Sequence, residues 1–183
     1  SMELTDAIAE GLLRTVMANA HILMSDPANY DARAEIMWAS SLSHNGLTGC
    51  GTDGGDWACH RLEHELGGLY DVAHGAGLAA IWGTWARYVY KYNPARFAKF
   101  GINVLGVEAG ANDEETALRG IAAMEEFFRS IHMPTNLREL GVNPTDEEYK
   151  ILAEGCFKAT NGGIGSILRL KLEDMEKIYR LAY

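Results

Sequence analysis

Three of the chain's six histidines, His60, His64 and His74, lie close together in the sequence. A spacing of four residues places the first two on one face of a helix. The glycine pair at 67–68, followed by Asp71, predicts a turn that folds His74 back toward that face. Clustered histidines favour metal or proton chemistry, because imidazole is the commonest metal ligand and titrates near neutral pH. This stretch, with a helix, a glycine break and a second helix, therefore predicts a metal pocket.

The same residues allow two other interpretations. One is structural: the histidines lie in the core or on the surface of a helical hairpin and bind nothing. The other is a zinc peptidase, since His60-Arg-Leu-Glu63-His64 matches the H-x-x-E-H pattern, in which two histidines bind zinc and the glutamate is the general base. That enzyme needs a third protein ligand, for which Glu139 and Glu154 are candidates that no motif supports. It also leaves the third histidine of the stretch without a role.

A longer pattern uses the whole stretch. The sequence His60-x3-His64-Glu-Leu-x4-Asp71-x2-His74-Gly-x-Gly77-Leu-Ala resembles the second metal motif of the iron-containing alcohol dehydrogenases, particularly their butanol dehydrogenase and aldehyde reductase branch. Residues 27–40 and 45–47 resemble the segment before the motif in that branch, and residues 172–182 resemble its C-terminal helix. The resemblance therefore covers essentially all of the chain.

This resemblance implies a division of labour among the three histidines. His60 and His74 correspond to metal ligands, and His64 corresponds to the histidine near the nicotinamide that relays a proton. The implied reaction is reversible hydride transfer between a primary alcohol or its aldehyde and NAD(P)H. A divalent metal polarises the alcohol oxygen, and a nearby imidazole passes the proton to solvent. Imidazole suits Fe²⁺ and Zn²⁺ alike, so both metals stay open.

The resemblance also implies parts that this sequence lacks. The family completes its metal site with an Asp and a His one helical turn apart on an upstream helix, and binds the cofactor with an N-terminal Rossmann-like domain. We therefore expect residues 1–183 to form a single helical metal-binding domain that is inactive alone, as a truncated piece, a proteolytic remnant or a split-gene product. A stand-alone metal-binding or interaction domain is a further alternative, in which exposed apolar surface drives assembly into a homo-oligomer.

Two glycine-rich segments are predicted to be connections rather than nucleotide loops. Residues 49–54 match G-x-G-x-x-G, but that fingerprint requires a preceding strand within a βαβ unit, and residues 34–47 have helical character. Residues 161–166 are likewise predicted to be a loop. Asp56 is predicted to be the N-cap of the helix that carries His60. Cys59, next to that histidine, is predicted to be a buried small hydrophobe.

Composition excludes several classes of partner. A formal net charge of −9 argues against nucleic acid and anionic membrane surfaces, which reward basic patches. No stretch approaches the roughly 20 apolar residues of a transmembrane helix. Three cysteines without a C-x-x-C pair predict no disulfide framework, which favours a cytoplasmic location.

Apolar residues recur at helical spacing through most of the chain, so the predicted fold class is all-α, a multi-helix bundle without a convincing strand. Trp82, Trp85, Tyr88 and Val89 are predicted to pack in its core. The predicted helices cover residues 3–24, 30–47, 56–69, 75–92, a segment that begins at Pro94, residues 114–131, a short helix at 134–140, a segment capped by Thr145 or Asp146, and residues 171–182.

Overall fold

The computed structural model describes residues 2–52 and 54–183, and within these residues it contains eight α-helices and no strand. Two short 3₁₀ turns, Leu47–Gly49 and Tyr90–Tyr92, and one antiparallel bridge between Ile164 and Leu170 complete the regular structure. The all-α prediction is confirmed. The helices are α1 (Glu3–Ser25), α2 (Tyr30–His44), α3 (Ala58–Tyr70), α4 (His74–Val89), α5 (Pro94–Leu105), α6 (Asp113–Ser130), α7 (Asp146–Ala159) and α8 (Leu172–Leu181).

The core fixes the hairpin formed by α3 and α4. Helix α3 packs against α4 and α7, and α4 also packs against α6 and α8. The phenol of Tyr179 donates a hydrogen bond of 2.6 Å to the carbonyl oxygen of Leu62, which ties α8 to α3. One side of the hairpin is therefore held in the interior, and the other side is free to present polar groups. Fully buried side chains at this centre are Leu62, Leu66, Ile81, Leu152, Met175, Ile178 and Tyr179.

Helices α5 and α6 meet through two glycines. A Cβ atom placed on Gly120 would lie 2.7 Å from the Cα atom of Gly101, and one placed on Gly101 would lie 2.9 Å from the Cα atom of Gly120. Only glycine at both positions allows the two backbones to approach this closely. The contact brings α6 over the interior, where Phe128 reaches the cavity described below.

Two helix starts have capping side chains, and one helix ends earlier than predicted. The side chain of Asn93 accepts a hydrogen bond from the backbone of Arg96, with Pro94 in the first turn of α5. Thr145 and Glu148 form a reciprocal capping box at the start of α7, which confirms Thr145 as the cap. The second helix ends at His44 rather than at residue 47, because Gly46 has a left-handed backbone with φ of 90°.

The predicted short helix at residues 134–140 is wrong. These residues form turns: the N–H of Leu140 bonds the carbonyl oxygen of Asn136 at 3.1 Å, and Gly141, with φ of 85°, ends this single turn. Leu137 donates its N–H to the carbonyl oxygen of Ala182 at 2.8 Å, and the N–H of Thr135 bonds the carboxylate of Glu139 at 2.7 Å. The contact with Ala182 holds this single turn against the end of α8.

The prediction about the core aromatic residues holds only in part. Trp85 and Val89 are buried as predicted, whereas Trp82 and Tyr88 are half-buried: Trp82 lines cavities, and Tyr88 bonds Asp174 of α8. The segment at residues 49–54 is a connection, as expected, and its Asp53 lies outside the described residues. No helix among the described residues combines the length and apolar character needed to span a lipid bilayer.

Candidate metal centre

The structure brings the three predicted histidines together. His60 lies in the first turn of α3, His64 lies one turn later, and His74 is the first residue of α4. Each offers a ring nitrogen, and these three atoms all lie within 4.8 Å of one another. In the described part of the chain, no other group of His, Cys, Asp or Glu side chains converges in this way. The cluster is therefore the candidate metal centre.

The turn that closes the hairpin lies after the two glycines rather than at them. Gly67 and Gly68 belong to α3, which continues to Tyr70, so the predicted glycine break is wrong. Asp71 ends the helix in a left-handed conformation with φ of 54°, which Asp tolerates better than most residues. Its N–H bonds the carbonyl oxygen of Gly67, and α4 begins at His74 three residues later.

Asp56 stabilises the start of α3, but it lies one residue before the N-cap instead of being the N-cap as predicted. The N-cap is Trp57, whose φ is 57°, and the Asp56 carboxylate accepts the N–H of Ala58 at 3.1 Å. Its second oxygen accepts the N–H groups of Ser166 and Ile167 at 2.8 and 2.9 Å. One carboxylate therefore fixes both the helix that carries His60 and the loop before α8.

The spacing of the histidine nitrogens fits a shared metal ion. Nδ1 of His60 lies 3.2 Å from Nε2 of His74. Two imidazoles at about 2.0–2.1 Å from one metal ion in tetrahedral geometry place their nitrogens about 3.3 Å apart. The ring of His64 lies 5.4 Å from that of His74, and both side chains are exposed. The imidazoles of His60 and His74 are therefore spaced to share a divalent iron or zinc ion, with His64 beside them.

The surroundings of His60 favour its neutral form. This half-buried ring lies 5.0 Å from the ring of Trp57. Burial lowers the pKa of His60, and the charges of His74 and His64 lower it further. A metal ion binds the neutral imidazole, so the environment prepares the form that a ligand needs. Cys59 is buried and lies outside the cluster, and burial raises its thiol pKa, which agrees with the predicted packing role.

Glu63 lies behind the centre and is 1% exposed. Its Oε2 atom accepts a hydrogen bond from Nδ1 of His74. A Cβ atom placed on Gly77 would lie 2.5 Å from Oε1 of Glu63 and 2.7 Å from its Cγ atom. The carboxylate therefore fills the space that the missing side chain of Gly77 leaves.

The position of Glu63 is at odds with the peptidase interpretation. A general base must face the reacting centre, whereas this carboxylate is enclosed and bonded to His74. Neither proposed third ligand joins the cluster: Glu139 bonds the backbone of Thr135, and Glu154 is exposed. Sequence reasoning made Glu63 the base of the peptidase and only a supporting residue of the dehydrogenase, and it missed the contact with His74.

A cavity of about 450 Å³ opens beside His60. Its walls are mainly apolar, and its lining includes Trp57, Leu78, Trp82 and Phe128. A second cavity of about 340 Å³ shares Trp82 with the first and extends between α1 and α5. The space next to the histidines therefore suits an apolar group better than a charged one.

Comparison with known proteins gives consistent results. A family model described as "Fe-containing alcohol dehydrogenase family, C-terminal" matches residues 1–183. NADH-dependent butanol dehydrogenase A of Clostridium acetobutylicum is 37% identical over 179 residues, which are 97% of this chain and 45% of that protein. NADPH-dependent aldehyde reductase YqhD of Escherichia coli is 32% identical over 141 residues, which are 77% of this chain and 36% of that protein.

A solved structure agrees with these relatives. The crystal structure of NADH-dependent butanol dehydrogenase A from Thermotoga maritima has a TM-score of 0.91 and 36% identity, and the match covers 100% of this chain and 46% of that one. The chain therefore spans less than half the length of the relatives that it matches. None of the relatives named here is a peptidase.

Proposed function

The chain belongs to the Fe-containing alcohol dehydrogenase family, and from this premise we propose that it is the metal-carrying part of an NAD(P)-dependent enzyme that interconverts primary alcohols and aldehydes. The observation that carries the proposal is the convergence of His60, His64 and His74 at the start of two core-anchored helices. The cavity beside His60, with its apolar walls, would accept the carbon chain of the alcohol or aldehyde.

Each histidine has a proposed role. His60 and His74 would hold Fe²⁺ or, alternatively, Zn²⁺, because their nitrogens are 3.2 Å apart. When bound, the metal would polarise the alcohol oxygen and lower its pKa. His64 is exposed beside His74, so its imidazole would move the alcohol proton to solvent. NAD(P)H would be the hydride donor or acceptor, as the names of the butanol dehydrogenases and the aldehyde reductase state for those enzymes.

We propose that residues 1–183 are a single helical metal-binding domain and that the cofactor domain belongs to another part of the enzyme. Metal sites normally use three or four protein ligands, so further ligands from outside the chain must join His60 and His74. We therefore expect no appreciable dehydrogenase activity from the 183-residue chain alone.

Its three free cysteines support a reducing, cytoplasmic location. Exposed Met37 and Trp38 on α2 support self-association into a homo-oligomer.

A metal titration tests the proposed roles. The stripped 183-residue chain is titrated with Fe²⁺ under anaerobic conditions and with Zn²⁺, alongside His60→Ala, His74→Ala and His64→Ala variants. We expect weak binding that is lost in the first two variants and kept in the third. His21→Ala is the control, because that histidine bonds Ser130 far along the chain from the centre.

Three results would contradict the proposal. Binding that survives His74→Ala would remove that residue from the ligand set. Binding lost in His64→Ala would make His64 a ligand instead of a proton relay. Alcohol-dependent reduction of NAD⁺ or NADP⁺ by the purified chain would show that no further domain is needed.

A further inference from the structure

We propose that Glu63 is a positioning residue of the metal centre, which fixes His74 so that its Nε2 atom faces the metal, and that Gly77 is required because it makes room for the Glu63 carboxylate. This inference rests on the proposed metal site. It assigns a function to the only acidic side chain recorded in hydrogen-bond contact with one of the three histidines in the described residues.

The hydrogen bond sets the tautomer of His74. An ionised carboxylate only accepts hydrogen bonds, so Nδ1 of His74 must carry a proton where it meets Glu63. The lone pair then lies on Nε2, which is the atom that faces His60 at 3.2 Å. Carboxylates in this position orient ligating histidines and raise their basicity in many metal sites. Without Glu63, both tautomers and several ring orientations would compete.

The charge of Glu63 links it to the metal as well. Its Oε1 atom is buried and has no hydrogen-bond partner among the described residues. A buried carboxylate with so few partners is unfavourable unless positive charge lies nearby. A divalent ion on Nε2 of His74 would supply that charge through the imidazole ring.

The steric part of the argument rests on Gly77. This glycine lies inside α4 and its backbone is helical, so no special conformation requires it. A Cβ atom at this position would collide with the carboxylate, at 2.5 Å from Oε1. Gly75, two residues earlier in the same helix, has no atom within 4 Å of such a Cβ. Gly77→Ala and Gly75→Ala therefore form a matched pair.

The first experiment measures metal affinity in Glu63 variants of the 183-residue chain. Zn²⁺ and Co²⁺ are titrated in competition with a chromophoric chelator, and long-range ¹H–¹⁵N spectra report the tautomer of His74. Loss of such an outer contact typically weakens metal affinity by about 10–100-fold, and we expect Glu63→Ala to fall in this range. Glu63→Gln keeps an acceptor but loses the charge, so we expect a smaller loss and an unchanged tautomer.

Two controls separate positioning from a merely structural role. Glu65→Gln removes a charge from the same helix, and Glu65 has no recorded contact with His74, so we expect unchanged affinity and an unchanged tautomer. Circular dichroism verifies that each variant is folded. Where Glu63→Ala fails to fold, the isosteric Glu63→Gln and the glycine pair still give an answer. Gly77→Ala should weaken metal binding about tenfold or more and disturb the His74 tautomer, whereas Gly75→Ala should do neither.

The outcomes distinguish this inference from the proposed function. If the unchanged chain binds no metal, or binds it independently of His60 and His74, the metal site itself is wrong. If metal binding depends on both histidines but Glu63→Ala binds as tightly as the unchanged chain with the same His74 tautomer, only the role of Glu63 is overturned. Equal effects of Gly77→Ala and Gly75→Ala would overturn the steric requirement.

Discussion

The contact between α5 and α6 predicts opposite effects for one substitution at two glycines. In Gly120→Ala the new methyl group would lie 2.7 Å from the Cα atom of Gly101. Because that atom belongs to a helix backbone, it cannot rotate away, and the two helices must separate. In Gly11→Ala on α1 the nearest atom is Nη2 of Arg14 at 3.9 Å, at the end of a flexible side chain. Both substitutions gain the same helix propensity, so their difference isolates the effect of crowding.

The magnitudes follow from these two environments. Alanine stabilises a helical position by about 0.5–1 kcal/mol relative to glycine where the added methyl group meets no close atom, which is the effect that we expect for Gly11→Ala. Overpacking a close contact costs about 1–3 kcal/mol, so the free energy of unfolding of Gly120→Ala should lie lower than that of Gly11→Ala by this amount. Urea denaturation at neutral pH, followed by circular dichroism, gives both values. If Gly120→Ala has the same free energy of unfolding as Gly11→Ala, the close approach of α5 and α6 at Gly101 and Gly120 is refuted.

Two further predictions concern the ion pairs of Asp6 and the half-buried phenol of Tyr88. Asp6 is buried and bonds Arg96 and Lys99, each at 2.7 Å, and these contacts hold its pKa well below 3.8. A carboxyl group whose pKa is lower in the folded than in the unfolded state stabilises the folded state at neutral pH, and this stabilisation is lost as the pH falls from the unfolded pKa toward the folded one. Asp6→Asn should therefore lower the urea midpoint at neutral pH. The variant should also lose less stability than the unchanged chain below about pH 4. Tyr88 donates a hydrogen bond to Asp174 at 2.7 Å, and burial together with this bond raises its pKa to about 12. Tyr88→Phe should cost about 1 kcal/mol of unfolding free energy and remove one high-pH transition from an ultraviolet titration.

Local signals predicted most of the helices. The Asn93–Pro94 pair and the Thr145–Glu148 box are short-range devices, and both helix starts lie where these residues place them. Leu137 shows where local signals fail. Its N–H bonds the carbonyl oxygen of Ala182, which is distant in the sequence, and this contact holds a single turn at residues 134–140 against the end of α8. Asp56 likewise bonds the distant loop at residue 166, which no capping rule includes.

The residues of the candidate site could be predicted from the sequence, because the spacing of His60, His64 and His74 indicates that their side chains lie close together. The role of Glu63 was not, since the pattern H-x-x-E-H describes two different arrangements of the same residues. In one arrangement the glutamate is exposed and takes a proton from a metal-bound water, and in the other it is buried and holds a ligand. Burial decides between them, and burial here depends on Gly77, which lies fourteen residues later and lacks the side chain that would fill the space. A pentapeptide pattern cannot contain that information, whereas the longer motif does, because its second glycine is the residue that keeps the carboxylate beside His74.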